Sequence, residues 1–314
     1  MNIVVVFPGQ GSQSVGMLAD YAETWPQIEE TFKQASNVLG YDCWDIVCNG
    51  PTEKINKTEI TQPIMLAADI AVMRVMAQQC MLTPMVFAGH SLGEYAALVA
   101  AESINFEDAI KLVAKRGQLM QAAVPEGEGA MAAIIGLTDE PIIKICEQVS
   151  SDIGAPVEAV NFNSPGQVVI AGATAAVNKA MALLKEAGAK RALPLPVSVP
   201  SHSSLMKPAA DELSEYLKTV NISTPKIQVI HNVDAKLHDD PDAIREALAK
   251  QLYNPVQWTH TVQIIADSAD VVVECGPGKV LGGLTRRINK DVKSFSLDSI
   301  ASMDKFLDAM STVD

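Results

Sequence analysis

The sequence predicts an α/β protein with a mainly parallel sheet, interrupted by a small inserted unit of βαββαβ order. Three observations predict it. Short β-branched runs alternate with longer amphipathic stretches in both outer parts of the chain, the rhythm of strands paired in parallel through helical crossovers. The middle segment has a different rhythm and lies between two breakers, Pro125-Glu126-Gly127-Glu128-Gly129 and Pro194-Leu195-Pro196-Val197-Ser198-Val199-Pro200. With 314 residues, 48% hydrophobic and 19% charged, the chain can bury a large core without disulfides or a structural metal, which excludes disorder and fibrous repeats.

Taken in order, the first element is the strand Ile3 to Phe7. Met1 and Asn2 give no basic leader, and the apolar run stops at Pro8, too soon for a signal sequence. Helices are expected at Trp25 to Leu39, Glu59 to Gln79, Leu92 to Ala101 and Phe106 to Ala123, with a strand at Met85 to Ala88. Asn105 caps the last of these helices, and Glu107 and Asp108 in its first turn suit the N-terminal dipole. The insert reads as strand Ala130 to Ile135, helix Glu140 to Val149, strand Val157 to Asn161, a turn at Ser164-Pro165-Gly166, strand Gln167 to Ala171, helix Ala175 to Ala187 and strand Ala189 to Leu195. That order is ferredoxin-like. After it come strands at Ile227 to His231, Val271 to Glu274 and Lys293 to Leu297, and helices at Pro241 to Leu252, Lys279 to Ile288 and Ser302 to Met310. The expected division is therefore a large domain of residues 1–125 and 199–314 and an inserted small domain of residues 126–198, with a cleft between them where a ligand would bind.

Lys and Arg number 24 against 37 Asp and Glu, a net charge of −13, so a basic nucleic-acid binder is excluded and a polyanionic ligand would need a local basic patch. The five cysteines, Cys43, Cys48, Cys80, Cys146 and Cys275, are scattered and form no C-x-x-C pair; reduced thiols in a cytoplasmic protein are expected. No stretch approaches the roughly eighteen uncharged apolar residues that span a bilayer, so no membrane partner is expected. No His, Cys, Asp and Glu cluster has metal-ligand spacing, and no metal is expected.

Gly89-His90-Ser91-Leu92-Gly93-Glu94 is a G-x-S-x-G turn between a strand and a helix, the setting that holds a nucleophilic serine at a helix N-terminus. Ser91 is the candidate nucleophile, and the backbone N–H of Leu92 one candidate oxyanion donor. A serine hydroxyl needs a base. Of the five histidines, His90 adjoins Ser91 and should point away; His231, His238 and His260 lie at a strand end, in a polar loop and near a helix start. His202, where the chain returns from the insert, is the candidate base. No acid is placed to orient it, so a backbone carbonyl or a member hidden from the sequence must do so. Arg116 falls on the apolar face of its helix with Ala109, Leu112, Val113, Met120 and Ala123. A buried guanidinium keeps its charge and needs an anionic partner, either an internal carboxylate or a substrate carboxylate held bidentately. The Gly9-Gln10-Gly11 loop lacks the glycine pattern of a dinucleotide site and the Gly-Lys ending of a P-loop. Its backbone N–H groups could complete the oxyanion hole. Glu274-Cys275-Gly276-Pro277-Gly278-Lys279 reads as a structural strand-to-helix turn.

With Pro8-Gly9-Gln10-Gly11-Ser12, the Gly89 to Glu94 motif, Arg116, Asn161-x-Asn163-Ser164-Pro165, Pro200-Ser201-His202, Asn254-Pro255-Val256-x-Trp258 and Glu274-x-Gly276-Pro277-Gly278 in this order, the chain resembles the malonyl-CoA:acyl carrier protein transacylases of type II fatty acid synthesis. The resemblance spans essentially the whole chain. It implies an α/β-hydrolase-like large domain with a ferredoxin-like insert, Ser91 as nucleophile, His202 as base, Arg116 as clamp for the malonyl carboxylate, and Gln10 and Leu92 N–H groups as the oxyanion hole. It further implies that a carbonyl near Gln251 orients His202, and that Asn161 and Asn163 line the pantetheine side of the cleft. The partners implied are malonyl-CoA and phosphopantetheinylated acyl carrier protein, no cofactor is needed, and a monomer is expected. Carrier proteins are acidic, so docking should use basic residues, with Lys190, Arg191, Lys279, Arg286 and Arg287 as candidates. A carrier-protein acyl hydrolase, a trans-acting polyketide acyltransferase and a silent carrier-binding module are the alternatives; the last is disfavoured because Ser91, His202 and Arg116 are all present.

Overall fold

A computed structural model describes residues 1–197 and 199–311; Ser198, the expected domain boundary, and residues 312–314 lie outside the described residues. The protein is a mixed α/β fold with two sheets. The larger has five strands in the order β7-β2-β1-β8-β9, formed by β1 (Ile3–Phe7), β2 (Val86–Gly89), β7 (Val229–Ile230), β8 (Val271–Glu274) and β9 (Lys293–Ser296), and every pairing is parallel. A parallel sheet is covered on both faces, so its central strands are apolar throughout rather than alternating. Accordingly Ile3–Phe7 is buried at every residue. Val5, Phe7 and Phe87 enter the larger core, whereas Val4, Val6, Val86 and Ala88 join Trp258 and Val262 in a second core on the other face.

The Thr58–Gln79 helix lies in the larger core. By length and mean hydropathy this helix could cross a membrane, but Glu59, Asp69 and Arg74 interrupt it, so it is not the uncharged apolar run whose absence was expected, and 78% of the stretch is buried inside the protein. It carries Gln62 and Asp69 among buried apolar residues.

The smaller sheet has the order β4-β5-β3-β6, from β3 (Gly129–Ile135), β4 (Val157–Ser164), β5 (Gln167–Ala173) and β6 (Arg191–Pro194), all antiparallel. Together with the Asp139–Ile153 and Thr174–Glu186 helices this is the ferredoxin-like order. The helices cover one face around Ile134, Ile142, Val168 and Leu184, and the other face presents Met131, Val169, Leu195 and Val197. The edge strand β4 is joined to the larger part of the molecule through Val256, whose carbonyl accepts from Phe162 N at 3.0 Å and whose N–H donates to Val160 O at 2.9 Å.

Two kinds of departure from the sequence reading stand out. The expected strand Ile227 to His231 shrinks to Val229–Ile230, because His231 N turns away to bond Lys236 O. Helices at Ala19–Thr24, Cys43–Asn49, Thr52–Ile55 and Lys207–Leu217 were not expected, and of Trp258–Ala266 only a helix start near His260 was. In Lys207–Leu217 the proline occupies the first turn, where its missing N–H costs nothing. In Trp258–Ala266 burial of Trp258, Thr261, Val262 and Ile265 overrides the weak helix propensity of β-branched residues.

Strand order sets the site. β1 and β2 are neighbours, and β7 flanks β2, so the Gly9 loop, the Ser91 turn and the His231-Asn232 segment all leave the carboxyl edge of the sheet side by side, where open parallel sheets bind ligands.

Candidate active site

Ser91 occupies the left-handed region at φ 54°, a conformation that costs a non-glycine residue energy and persists only when its surroundings enforce it. The enforcement is visible. A Cβ on Gly89 would stand 1.9 Å from Gly93 C, and one on Gly93 would stand 2.0 Å from Phe7 O, so only glycines let strand, turn and helix close this tightly. Asn232 ties the turn further: its Oδ1 accepts from Ser91 N at 2.6 Å and its Nδ2 donates to Gly89 O at 2.6 Å.

His202 is also left-handed, at φ 66°, with its own N–H on Leu252 O at 2.9 Å. Its Nδ1 lies 2.7 Å from the backbone carbonyl of Gln251 and its Nε2 lies 2.8 Å from Ser91 Oγ. A carbonyl can only accept, so the proton sits on Nδ1, and Nε2 offers its lone pair to the serine hydroxyl. No acid takes part in holding the ring. Burial, the neighbouring Arg116 charge and His90 push His202 down to about 3 against the pull of the Gln251 carbonyl, so the imidazole is neutral around pH 7.

Arg116 is 1% exposed, and desolvation holds it below the usual guanidinium range. It forms no ion pair among the described residues; its Nη1 donates to Gln62 Oε1 at 2.8 Å, and its Nη2 to Gln251 Oε1 at 3.0 Å and to Ser91 Oγ at 3.2 Å. Nε has no partner among the described residues, and the Tyr95 ring packs 5.3 Å from the guanidinium carbon. Neutral oxygens therefore hold the fork without spending its affinity for an anion.

Ser91, His202 and Arg116 face a cavity of about 300 Å³ that Gln10, Leu92, Asn161 and Asn163 also line. The backbone N–H groups of Gln10 and Leu92 have no acceptor among the described residues. The Gln10 side chain is tethered through Nε2 to Thr58 Oγ1 at 3.3 Å. Asn161 is buried with its Oδ1 unpartnered. Asn163 Oδ1 lies 2.8 Å from His90 Nε2, and the His90 ring packs 5.5 Å from Trp258, so His90 turns away from the serine. Apolar lining comes from Met131 and Val169 of the small sheet, Leu195 and Val197 just after it, and Val280, Leu281 and Leu284 at the start of the Val280–Ile288 helix.

Lys190, Arg191, Lys279, Arg286 and Arg287 are all exposed, and Arg287 reaches across to Gln167 at the cavity margin. The Glu274 turn is a cap: its carboxylate oxygens accept from Leu281 N at 3.0 Å and Gly282 N at 2.8 Å at the start of the Val280–Ile288 helix. Among the described residues no group of His, Cys, Asp and Glu could hold a metal ion.

Residues 4–305 match the acyl transferase domain family. The chain belongs to that family. Among acyl transferases, it is 59% identical over 305 residues to the malonyl CoA-acyl carrier protein transacylase of Haemophilus influenzae, covering 96% of this chain and 97% of the relative. It is 56% identical over 299 residues to that of Escherichia coli K12, covering 95% and 96%. A crystal structure of an acyl carrier protein S-malonyltransferase from Vibrio cholerae superposes with TM-score 0.94 at 56% identity, covering 98% of this chain and all of that one. A complex of a type II polyketide acyl carrier protein with its malonyl-transacylase superposes with TM-score 0.96 at 52% identity, over 98% and 100% of the two chains.

Three polar residues of this acyl transferase site escaped the sequence reading. Gln62 was readable in principle, as an amide within the apolar stretch Ile60 to Ala68 of its helix. Asn232 and the buried side chain of Glu94 carried no such signal, because their partners lie far away in sequence.

Proposed function

We propose that the protein transfers a malonyl group from malonyl-CoA to the phosphopantetheine thiol of acyl carrier protein, supplying fatty acid synthesis. One observation carries the reading: a serine hydrogen-bonded to a neutral histidine stands beside a buried guanidinium with which no carboxylate pairs directly among the described residues. A hydrolase for neutral acyl groups would have no use for a buried cation left without a direct partner. The relatives bear names of the same activity.

In the first step Ser91 Oγ attacks the thioester carbonyl as its proton passes to His202 Nε2. Arg116 turns its fork from the serine to the malonyl carboxylate, and the backbone N–H groups of Gln10 and Leu92 receive the oxyanion. Collapse breaks the C–S bond, the imidazolium protonates the departing CoA thiolate, and malonyl-Ser91 remains. In the second step His202 takes the proton of the pantetheine thiol, the thiolate attacks the ester, and Ser91 recovers its proton. Asn161 and Asn163 border the pantetheine arm. We further propose that residues 1–125 with 199–314 and residues 126–198 act as two lobes around this cleft, and that the protein works as a cytoplasmic monomer.

Intact-protein mass spectrometry after mixing with malonyl-CoA tests the reading. A malonyl adduct on Ser91 that moves to added phosphopantetheinylated carrier supports transfer. Loss of the adduct to free malonate without carrier overturns it in favour of hydrolysis, and no adduct at all overturns it in favour of a binding role.

A further inference from the structure

Glu94 sits in the first turn of the Gly93–Ala100 helix and is fully buried. Its Oε2 accepts from Asn232 N at 2.9 Å and from Gln251 Nε2 at 2.7 Å, and its Oε1 lies 2.7 Å from His231 Nδ1. No lysine or arginine forms an ion pair with it among the described residues. Arg116, almost equally buried, has no carboxylate in an ion pair with it among the described residues. Between these two groups stands one amide. Gln251 Nε2 gives its hydrogens to Glu94 Oε2 and to Ser91 O, the latter at 2.9 Å, so the amide cannot turn over, and its Oε1 must face Arg116 Nη2.

Two opposite charges in low dielectric attract strongly when paired directly, but a direct pair would fill the guanidinium fork that the substrate carboxylate needs. The interposed amide transmits part of the attraction, since a donor bonded to an anion strengthens the acceptor at its other end. It also leaves two edges of the fork to neutral oxygens that a carboxylate can displace.

Resting on the reading of Arg116 as the carboxylate clamp, we propose that Glu94 is a positioning residue that sets the orientation of Arg116 through the Gln251 amide, and so sets the preference for carboxylated acyl groups. Asn232 keeps its own two bonds to the serine turn, so the serine itself depends less on Glu94.

Glu94→Gln tests this, because a glutamine carbonyl can replace Oε2 and His231 can change tautomer, leaving the shape and removing the charge. The rate of Ser91 acylation is read by intact mass with malonyl-CoA and with acetyl-CoA, in the wild-type and Arg116→Ala backgrounds. We expect the malonyl rate to fall by about tenfold or more while the acetyl rate changes by less than about threefold, with no change in the malonyl-to-acetyl ratio when Arg116 is already alanine. Equal losses on both substrates, or the same malonyl loss without Arg116, would mean that Glu94 only supports the fold and would overturn the proposal. Should Glu94→Gln not fold, Glu94→Asp keeps the charge but draws the carboxylate back from the Gln251 amide; it must give the same selective malonyl loss, and an equal loss on both substrates overturns the proposal. Failure of the underlying reading is separate, since it appears as absence of a malonyl adduct on the wild-type protein.

Discussion

Arg116 and His202 meet at the Ser91 hydroxyl, and their charges are coupled. The guanidinium depresses the imidazole, so on the proposed mechanism a malonyl carboxylate settling on Arg116 would offset that charge as Ser91 attacks and strengthen the base when the intended substrate is bound. Arg116→Ala should abolish most malonyl transfer and spare or raise acetyl transfer, because a carboxylate entering an apolar pocket unpaired is heavily penalised; a competition assay with both thioesters checks it. The pH profile follows with its sign. The base works in the neutral form, and in the folded protein that form persists down to about 3 instead of the ordinary 6.5. Acylation by acetyl-CoA should therefore stay level from about pH 8 to about pH 5, where an ordinary histidine would already be protonated. In Arg116→Ala the acid limb should move upward. By linkage, the unfolded chain takes up this proton near the ordinary value while the folded one does not, so stability contributed by neutral His202 is lost as pH falls through that window. At this scale Ser91, His202 and Arg116 were readable because each breaks a local pattern: a small-residue turn, a histidine at a junction, a charge on an apolar face. Asn232 and Glu94 were not, since each becomes meaningful only when distant segments meet at the sheet edge.

The elements show where glycine is a structural requirement and where it is an accident. Gly93→Ala would drive a methyl into the Phe7 carbonyl at 2.0 Å, backbone against backbone with no flexible side chain to yield. We expect a loss of about 3 kcal/mol or more, with Ser91 acylation abolished. Gly283, in the Val280–Ile288 helix, has nothing within 4 Å of an added Cβ, so Gly283→Ala should be neutral or stabilise by up to about 1 kcal/mol. Thermal or urea unfolding of the two variants side by side measures both. The same logic explains which elements the sequence revealed. Ile3–Phe7, Val271–Glu274 and Phe106–Ala123 have the expected bounds, because composition and burial agree there and Asn105 accepts from Asp108 N at 2.8 Å as a cap should. Of the Trp258–Ala266 helix only a start near His260 was legible, because its β-branched residues favour extended backbone and packing against the sheet makes it helical.

For the whole molecule the net charge of −13 poses the docking problem. An acidic carrier approaching an acidic enzyme is repelled except where cations collect, and the Val280–Ile288 helix offers Arg286 and Arg287 beside the cavity lip. Replacing both with glutamate should raise KM for the carrier protein severalfold while leaving KM for malonyl-CoA unchanged, and the wild-type KM for carrier should rise with salt. Steady-state kinetics with each substrate varied in turn separates the two. The joint between the sheets has a mechanical meaning as well. Val256, which pairs with the small sheet's edge strand, follows closely after Gln251, whose carbonyl steers His202. Swinging the small sheet outward would drag the tether that aims the base. One short stretch of chain thus sets both the width of the cleft and the aim of the imidazole, so a change that widens the first is felt at the second.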